Sequence, residues 1–169
     1  TETVALDKGL IKLDDVFSCK GEICQKNGVP YGHGNLSVQD ALNISCNDIF
    51  AKIGIFIGYE DMMEYLEKMN MFESVLNIKG INRTEATGIK PTIENGMNNI
   101  SIGQTILVTP IQMSGIYNTI VNNGIYVKPT FVEAIVDAED NIIKEFNNDE
   151  IRVFSETSSK LAQESMIEV

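Results

Sequence analysis

Two small groups of residues in this 169-residue chain carry side chains capable of chemistry. The first is Ser45-Cys46-Asn47, a hydroxyl and a carboxamide two positions apart. A hydroxyl donates and accepts a hydrogen bond at once, and a carboxamide does the same through separate atoms. Residue types alone also allow a plainer reading, in which Ser45 and Asn47 compete for backbone groups and end a short helix. The second group is three cysteines and the only histidine. Three cysteines leave at least one unpaired; Cys19 and Cys24 bracket a turn-like Lys20-Gly21-Glu22 and could close a short disulfide in an oxidising compartment. A zinc site would need four ligands, with Cys46 and His33 as the further candidates. Their spacing is that of no known finger, so no metal ligand is assigned. Cys46 reads as a small buried residue, and His33 as a turn or rim residue in a Gly-rich loop without a carboxylate partner.

Composition narrows the partners. An apolar share of 43% and a charged share of 22% are close to globular averages and exclude wholesale disorder. A net charge of −11 argues against a nucleic-acid surface, which needs clustered Lys and Arg, and against attachment to an anionic membrane. No stretch approaches the roughly 18–20 apolar residues of a membrane span, and no signal peptide opens the chain. The first residue is not Met and the last lies in a helical pattern, so both ends read as cuts.

The elements that position these residues are mostly helical. Through Gly34 the chain reads as loop, with a brief strand at Val16-Phe17-Ser18-Cys19. Ser37 is a good N-cap with Asp40 three residues on, which predicts a helix from Val38 to about Ile44. After the interruption at 45–47, Ile49, Phe50, Ile53, Phe56 and Ile57 recur at helical spacing. Near-absence of charge predicts that this helix is buried, with Gly54 allowing close packing and Gly58 as its stop. A third helix spans about Asp61 to Met69, with Met62, Tyr65, Leu66 and Met69 on one face. Met62, Met63, Met69 and Met71 read as packing, and Glu60, Asp61, Glu64 and Glu67 as a solvated face. Asn70 to Asn99 reads as loop. Thr109-Pro110, a cap followed by Pro at the first helical position, opens a helix to about Asn122, with Ile111, Ile116, Tyr117 and Ile120 as its apolar face. A hairpin follows, Phe131–Val136 with Ile142–Phe146, then a helix from Ser155 or Glu156 still running at Val169.

Three segments, in order, resemble the transpeptidase domain of penicillin-binding proteins. They are Gly32-His33-Gly34-Asn35-Leu36-Ser37 leading to Ser45-Cys46-Asn47; Thr87-Gly88-Ile89; and Ile102-Gly103-Gln104 followed by Val108-Thr109-Pro110-Ile111-Gln112 and Asn122-Asn123-Gly124. Ser-Cys-Asn, Ile-Gly-Gln and Thr-Pro-x-Gln look more like the monofunctional, class B branch. Ser45-Cys46-Asn47 corresponds to the middle member of the motif set Ser-x-x-Lys, Ser-Asp-Asn and Lys-Thr-Gly; the other two do not occur in this chain.

The resemblance implies an α+β fold, a mostly helical subdomain of the penicillin-binding protein and serine β-lactamase superfamily with a small β-hairpin. It implies that residues 1–169 are a partial domain cut at both ends. The parent would be a peptidoglycan D,D-transpeptidase, extracytoplasmic and membrane-anchored, acting on stem peptides and acylated by β-lactams, needing no cofactor or metal. Ser45 and Asn47 would be its catalytic residues in this chain, and the chain alone would form no acyl-enzyme. Gln104 and Thr109 read as structural. A serine β-lactamase or D,D-carboxypeptidase, a β-lactam sensor domain and a non-catalytic cell-wall scaffold stay open as alternatives. Contacts with other cell-wall synthesis proteins, and self-association of the piece through uncovered apolar surface, are further expectations.

Overall fold

The computed structural model describes residues 1–27, 31–76, 85–146, 148–167 and 169. Its helices are α1 (Glu2–Asp7), α2 (Val38–Asn43), α3 (Asn47–Ile57), α4 (Tyr59–Lys68), α5 (Met97–Ser101), α6 (Pro110–Val121) and α7 (Glu156–Ile167). Its strands are β1 (Val16–Cys19), β2 (Gly34–Ser37), β3 (Ile125–Val127), β4 (Ala134–Val136), β5 (Ile142–Glu145) and β6 (Glu150–Arg152). The strands form antiparallel pairs, β1 with β2, β3 with β6 and β4 with β5. This is the expected α+β, mostly helical class. No helix among the described residues is long and apolar enough to cross a membrane.

Helix α3 is the centre of the core. Ile49 and Ile53 are fully buried on it and Ile57 nearly so, and α1 and α5 pack against it. Gly54 makes the α3–α5 approach possible: a Cβ there would stand 2.3 Å from Ser101 Cβ. All of Met62, Met63, Met69 and Met71 are buried around α4. The expectation of burial all round α3 fails on one side, because Ile55 and Phe56 are 55% and 58% exposed. On α6, Ile120 is buried but Tyr117 is exposed, so the expected apolar stripe is narrower than its sequence.

Other departures have a common cause, which is packing between distant segments. The segment through Gly34, expected as loop, begins with α1, whose Val4, Ala5 and Leu6 are buried against α3 and α7. Six residues are too few for a helix to stand alone in water. Gly34–Ser37 pairs with the expected strand at Val16–Cys19, with Cys19 opposite Gly34. The expected loop from Asn70 to Asn99 carries a 3₁₀ turn at Ile93–Asn95 and the start of α5; residues 77–84 of that loop lie outside the described residues. The β4–β5 hairpin is present but largely exposed, and the β3–β6 pair was not anticipated. Helix α7 spans Glu156–Ile167, and Val169 is not helical.

Local signals were reliable where capping decides. Ser37 Oγ accepts the Asp40 N–H at 3.0 Å. Thr109 N–H donates to Gln112 Oε1 at 2.9 Å, and Thr109 Oγ1 accepts the Gln112 N–H, giving a reciprocal capping box with Pro110 first in the helix. Gly58 ends α3 with φ 81°.

Candidate functional site

Ser45 stands in an unusual backbone position, created by how α2 ends. The Ser45 N–H donates to Leu42 O at 2.9 Å, and the Cys46 N–H donates to Ala41 O at 2.8 Å. That pair of bonds is the Schellman termination, which places its middle residue in the left-handed region. Ser45 accordingly has φ 55°. The same termination closes α1 on Gly9, α4 on Asn70, α5 on Gly103 and, through the Gly124 N–H to Thr119 O, α6 on Asn123. Gly and Asn are the residues that tolerate this conformation. Every other positive-φ residue among the described ones is Gly, Asn or Asp; only Ser45 lacks the usual excuse. Strain held at a single side chain points from geometry toward function.

The Ser45 strain directs a hydroxyl toward a cavity. Ser45 and Asn47, the first residue of α3, line a cleft of about 510 Å³ together with Thr1, Phe50, Met113 and Tyr117. Ser45 is exposed and Asn47 half-buried. Among the described residues neither side chain has a hydrogen-bond partner. The hydroxyl and the amide are therefore free to engage a group that enters the cleft. The wall is otherwise mostly apolar, which strengthens any polar contact formed inside it.

Between those two residues, Cys46 turns the other way, into the protein, where it is fully buried. Its Sγ lies 3.8 Å from Cys24 Sγ, and Cys19 Sγ lies 3.5 Å from His33 Nδ1. All four ligand atoms lie within 4.8 Å of one another. The three cysteines are free thiols, so the short Cys19–Cys24 disulfide is not formed. Burial pushes the Cys46 thiol up to about 12 and raises that of Cys24. His33 is half-buried against this group rather than standing alone on the loop rim.

Asp48, one residue beyond Asn47, organises the turn that presents Cys24. Its buried carboxylate accepts the N–H groups of Glu22 at 2.9 Å, Ile23 at 2.6 Å and Cys24 at 2.9 Å, and also the Cys19 thiol at 3.4 Å. Burial opposes its ionisation, but these backbone donors outweigh burial and hold the carboxyl well below the ordinary range. Sequence reasoning passed over Asp48. Its signal was an acid in the first turn of a helix, too common to single out.

The residues read as structural behave so. Gln104 is exposed, and its N–H closes the exit of α5 by donating to Asn99 O at 3.0 Å. Gln112, 1% exposed, satisfies both ends of its amide: Oε1 accepts from Thr109, and Nε2 donates to Asn70 O at 3.2 Å and Glu73 O at 3.0 Å. Thr87 is exposed, and Ile89 forms an isolated bridge with Leu107; neither lines the cleft.

A family model for the penicillin binding protein transpeptidase domain matches residues 1–169. Penicillin-binding protein PbpB of Mycolicibacterium smegmatis is 25% identical over 178 residues, covering 95% of this chain and 26% of that protein. Stage V sporulation protein D of Bacillus subtilis is 26% identical, covering 81% of this chain and 21% of that protein. The crystal structure of penicillin binding protein 3 from Mycobacterium tuberculosis complexed with ampicillin has a TM-score of 0.82 at 25% identity, covering 97% of this chain and 38% of that one. Penicillin binding protein 2X from Streptococcus thermophilus shares the fold, with a TM-score of 0.82 at 20% identity. The chain thus spans 26% or less of the length of these curated relatives.

Proposed function

Because the chain belongs to the penicillin-binding protein transpeptidase domain family, we propose that it is an internal piece of a serine D,D-transpeptidase of the class B branch. That enzyme cross-links peptidoglycan stem peptides through an acyl-enzyme and is acylated by β-lactams. The observation that carries this reading is the left-handed Ser45, whose hydroxyl has no hydrogen-bond partner among the described residues and shares the cleft with Asn47.

In this reading Ser45 and Asn47 are catalytic residues. The nucleophile and its neighbouring lysine, the Ser-x-x-Lys pair, belong to a segment outside this chain. Thr1 lines the same cleft as Ser45, so a segment joined to its amino end would run in beside that hydroxyl. Ser45 Oγ then donates its proton to the departing D-alanine nitrogen while accepting one from the lysine ammonium. No net charge is left on the serine. The Asn47 carbonyl oxygen accepts from the same lysine, and its NH₂ donates to the substrate amide. A rigid turn suits this relay, because a misplaced proton carrier loses most of its effect.

The parent enzyme would work outside the cytoplasmic membrane, where peptidoglycan is assembled, anchored by a part of the protein beyond these residues. Exposed Ile55, Phe56, Phe131 and Ile143 are surfaces that further elements of a complete domain, or other cell-wall synthesis proteins, would cover. In the isolated piece they favour self-association.

The test is acylation by a fluorescent penicillin. The longer protein should label, and Ser45→Ala should slow its labelling by about 10²–10⁴-fold. The 169-residue chain should not label at all; covalent labelling of it, or an unimpaired Ser45→Ala, contradicts the reading.

A further inference from the structure

We infer that Cys19, Cys24, His33 and Cys46 form a zinc site that clamps the loop between β1 and β2 to the turn carrying Ser45 and Asn47. Three sulfurs and an imidazole nitrogen lie within 4.8 Å of one another, close enough for one ion to take all four as ligands, and two of their separations match a tetrahedral S₃N set. An ion with Zn–S bonds of about 2.3 Å and tetrahedral angles separates two sulfurs by about 3.8 Å, and a sulfur from an imidazole nitrogen by about 3.5 Å. The structure has Cys24 Sγ and Cys46 Sγ at 3.8 Å, and Cys19 Sγ and His33 Nδ1 at 3.5 Å. Pairwise thiol contacts could reach those separations singly; what points to an ion is that three buried cysteines and the histidine converge on one place. A disulfide would need its sulfurs about 2.0 Å apart.

The surroundings are built for the purpose. Cys19, Cys24 and Cys46 are each 2% exposed or less. Cys19 ends β1 and His33 precedes β2, so the strand pair brings them together across a loop that starts and returns at the same place. Its base is closed by backbone contact at Gly21 and Gly32: a Cβ on Gly32 would meet Cys19 O at 2.4 Å and Gly21 N at 2.6 Å. Asp48 then holds Cys24 in position through three backbone N–H bonds. The Cys19 thiol gives up its bond to Asp48 when it loses its proton to become a ligand. The carboxylate keeps its backbone donors.

The ligand set selects the metal. Three thiolates and an imidazole in tetrahedral array favour zinc over the hard cations. Four protein ligands leave no open position, which makes the ion structural rather than Lewis-acidic. Binding releases the thiol protons, so each ligand is formed together with the site. Because Cys46 lies between Ser45 and Asn47, the ion fixes the backbone that joins the two functional residues. The site stands on its own geometry, whether or not Ser45 serves in acyl transfer.

The experiment uses the full-length protein that carries this chain, purified under reducing conditions without chelator. Elemental analysis should find one zinc per chain. Replacement by cobalt(II) should give the intense visible bands of a tetrahedral site and thiolate charge-transfer bands. Cys24→Ser and His33→Ala should each lower bound zinc at least tenfold. Should those variants fail to fold, the cobalt spectrum of the unaltered protein still decides. Protein that holds no zinc and gives no tetrahedral cobalt spectrum overturns the proposal. So does full zinc retention by both variants, or a Cys24–Cys46 disulfide found by mass spectrometry. None of these readouts involves acylation, so failure of the metal site and failure of the transpeptidase reading are told apart.

Discussion

The exits of α2 and α6 have the same backbone but different residues at the critical place. At α6 the chain leaves through Asn123, φ 53°, with Gly124 following and its N–H bonded to Thr119 O at 2.8 Å. At α2 it leaves through Ser45, φ 55°, with the equivalent bond from Cys46 to Ala41 O at 2.8 Å. Asn suits the left-handed region and needs no further support. Serine does not, and its neighbourhood supplies what is needed to hold it. Ala41 and Cys46 are both fully buried, giving the apolar contact that accompanies this termination. Asp48 then pins the following turn to residues 22–24. One exit is only a helix stop. The other is a stop that also presents a hydroxyl to the cleft.

The largest effect that would break this comparison is on acylation. In the full-length protein, Ser45→Ala should slow labelling by fluorescent penicillin about 10²–10⁴-fold, whereas Asn123→Gly should leave the rate within about twofold. Equal losses from both would mean that the exits matter only as structure.

Next in size is a change that tests how the exits are supported. Gln112 reaches from the first turn of α6 to Asn70 O, at the exit of α4. Gln112→Ala removes the buried amide that caps Thr109 and leaves the carbonyls of Asn70 and Glu73 without that donor. The expected loss is about 2–3 kcal/mol, read as a lower midpoint in urea. A loss under about 0.5 kcal/mol would show that this exit, like Ser45, is held by its own local bonds.

The exit of α1 offers a pH-dependent contrast. Its last residue, Asp7, is an acid at the unfavourable end of a helix. Yet its carboxylate accepts the Tyr65 hydroxyl at 2.6 Å and the Ser155 N–H at 2.7 Å. Burial alone would raise the carboxyl, but the Tyr65 and Ser155 donors prevail and lower it. A depressed folded pKa contributes stability that is complete above the unfolded value, about 3.9, and is lost as pH falls through the folded one. Asp7→Asn should therefore lower the melting temperature at neutral pH, and the gap to the unaltered protein should narrow below about pH 4. A gap constant down to about pH 2 would mean that the charge does not matter.

What could be read in the sequence follows the same division between local and distant causes. Thr109-Pro110-x-Gln112 and Ser37-x-x-Asp40 announced their helices because a cap is settled within four residues. Gly58 and the turn before Ile142 were legible for the same reason. Helix α1 was not, since Val4, Ala5 and Leu6 form too short an apolar run and are buried only by α3 and α7. Strands β2, β3 and β6 have three or four residues each and no alternating pattern long enough to notice. Ser45 and Asn47 stand out through their motif, but nothing in Ser-Cys-Asn foretells a left-handed serine. The Cys19, Cys24, His33 and Cys46 cluster was dismissed for its spacing. That spacing is irregular because the ligands come from a strand end, a 3₁₀ turn, a loop and a helix cap, which only the folded chain brings together.

The most direct measurement is to replace Ser45 by Gly in the full-length protein and record melting temperature and penicillin acylation on the same sample. Glycine relieves the left-handed strain, about 1–2 kcal/mol, and gives back about 0.5–1 kcal/mol in unfolded-state entropy. The melting temperature should hold or rise by a few degrees while acylation falls about 100-fold or more. Acylation that stays at the unaltered rate would contradict a role for the hydroxyl, and a melting temperature that drops sharply would contradict the strain.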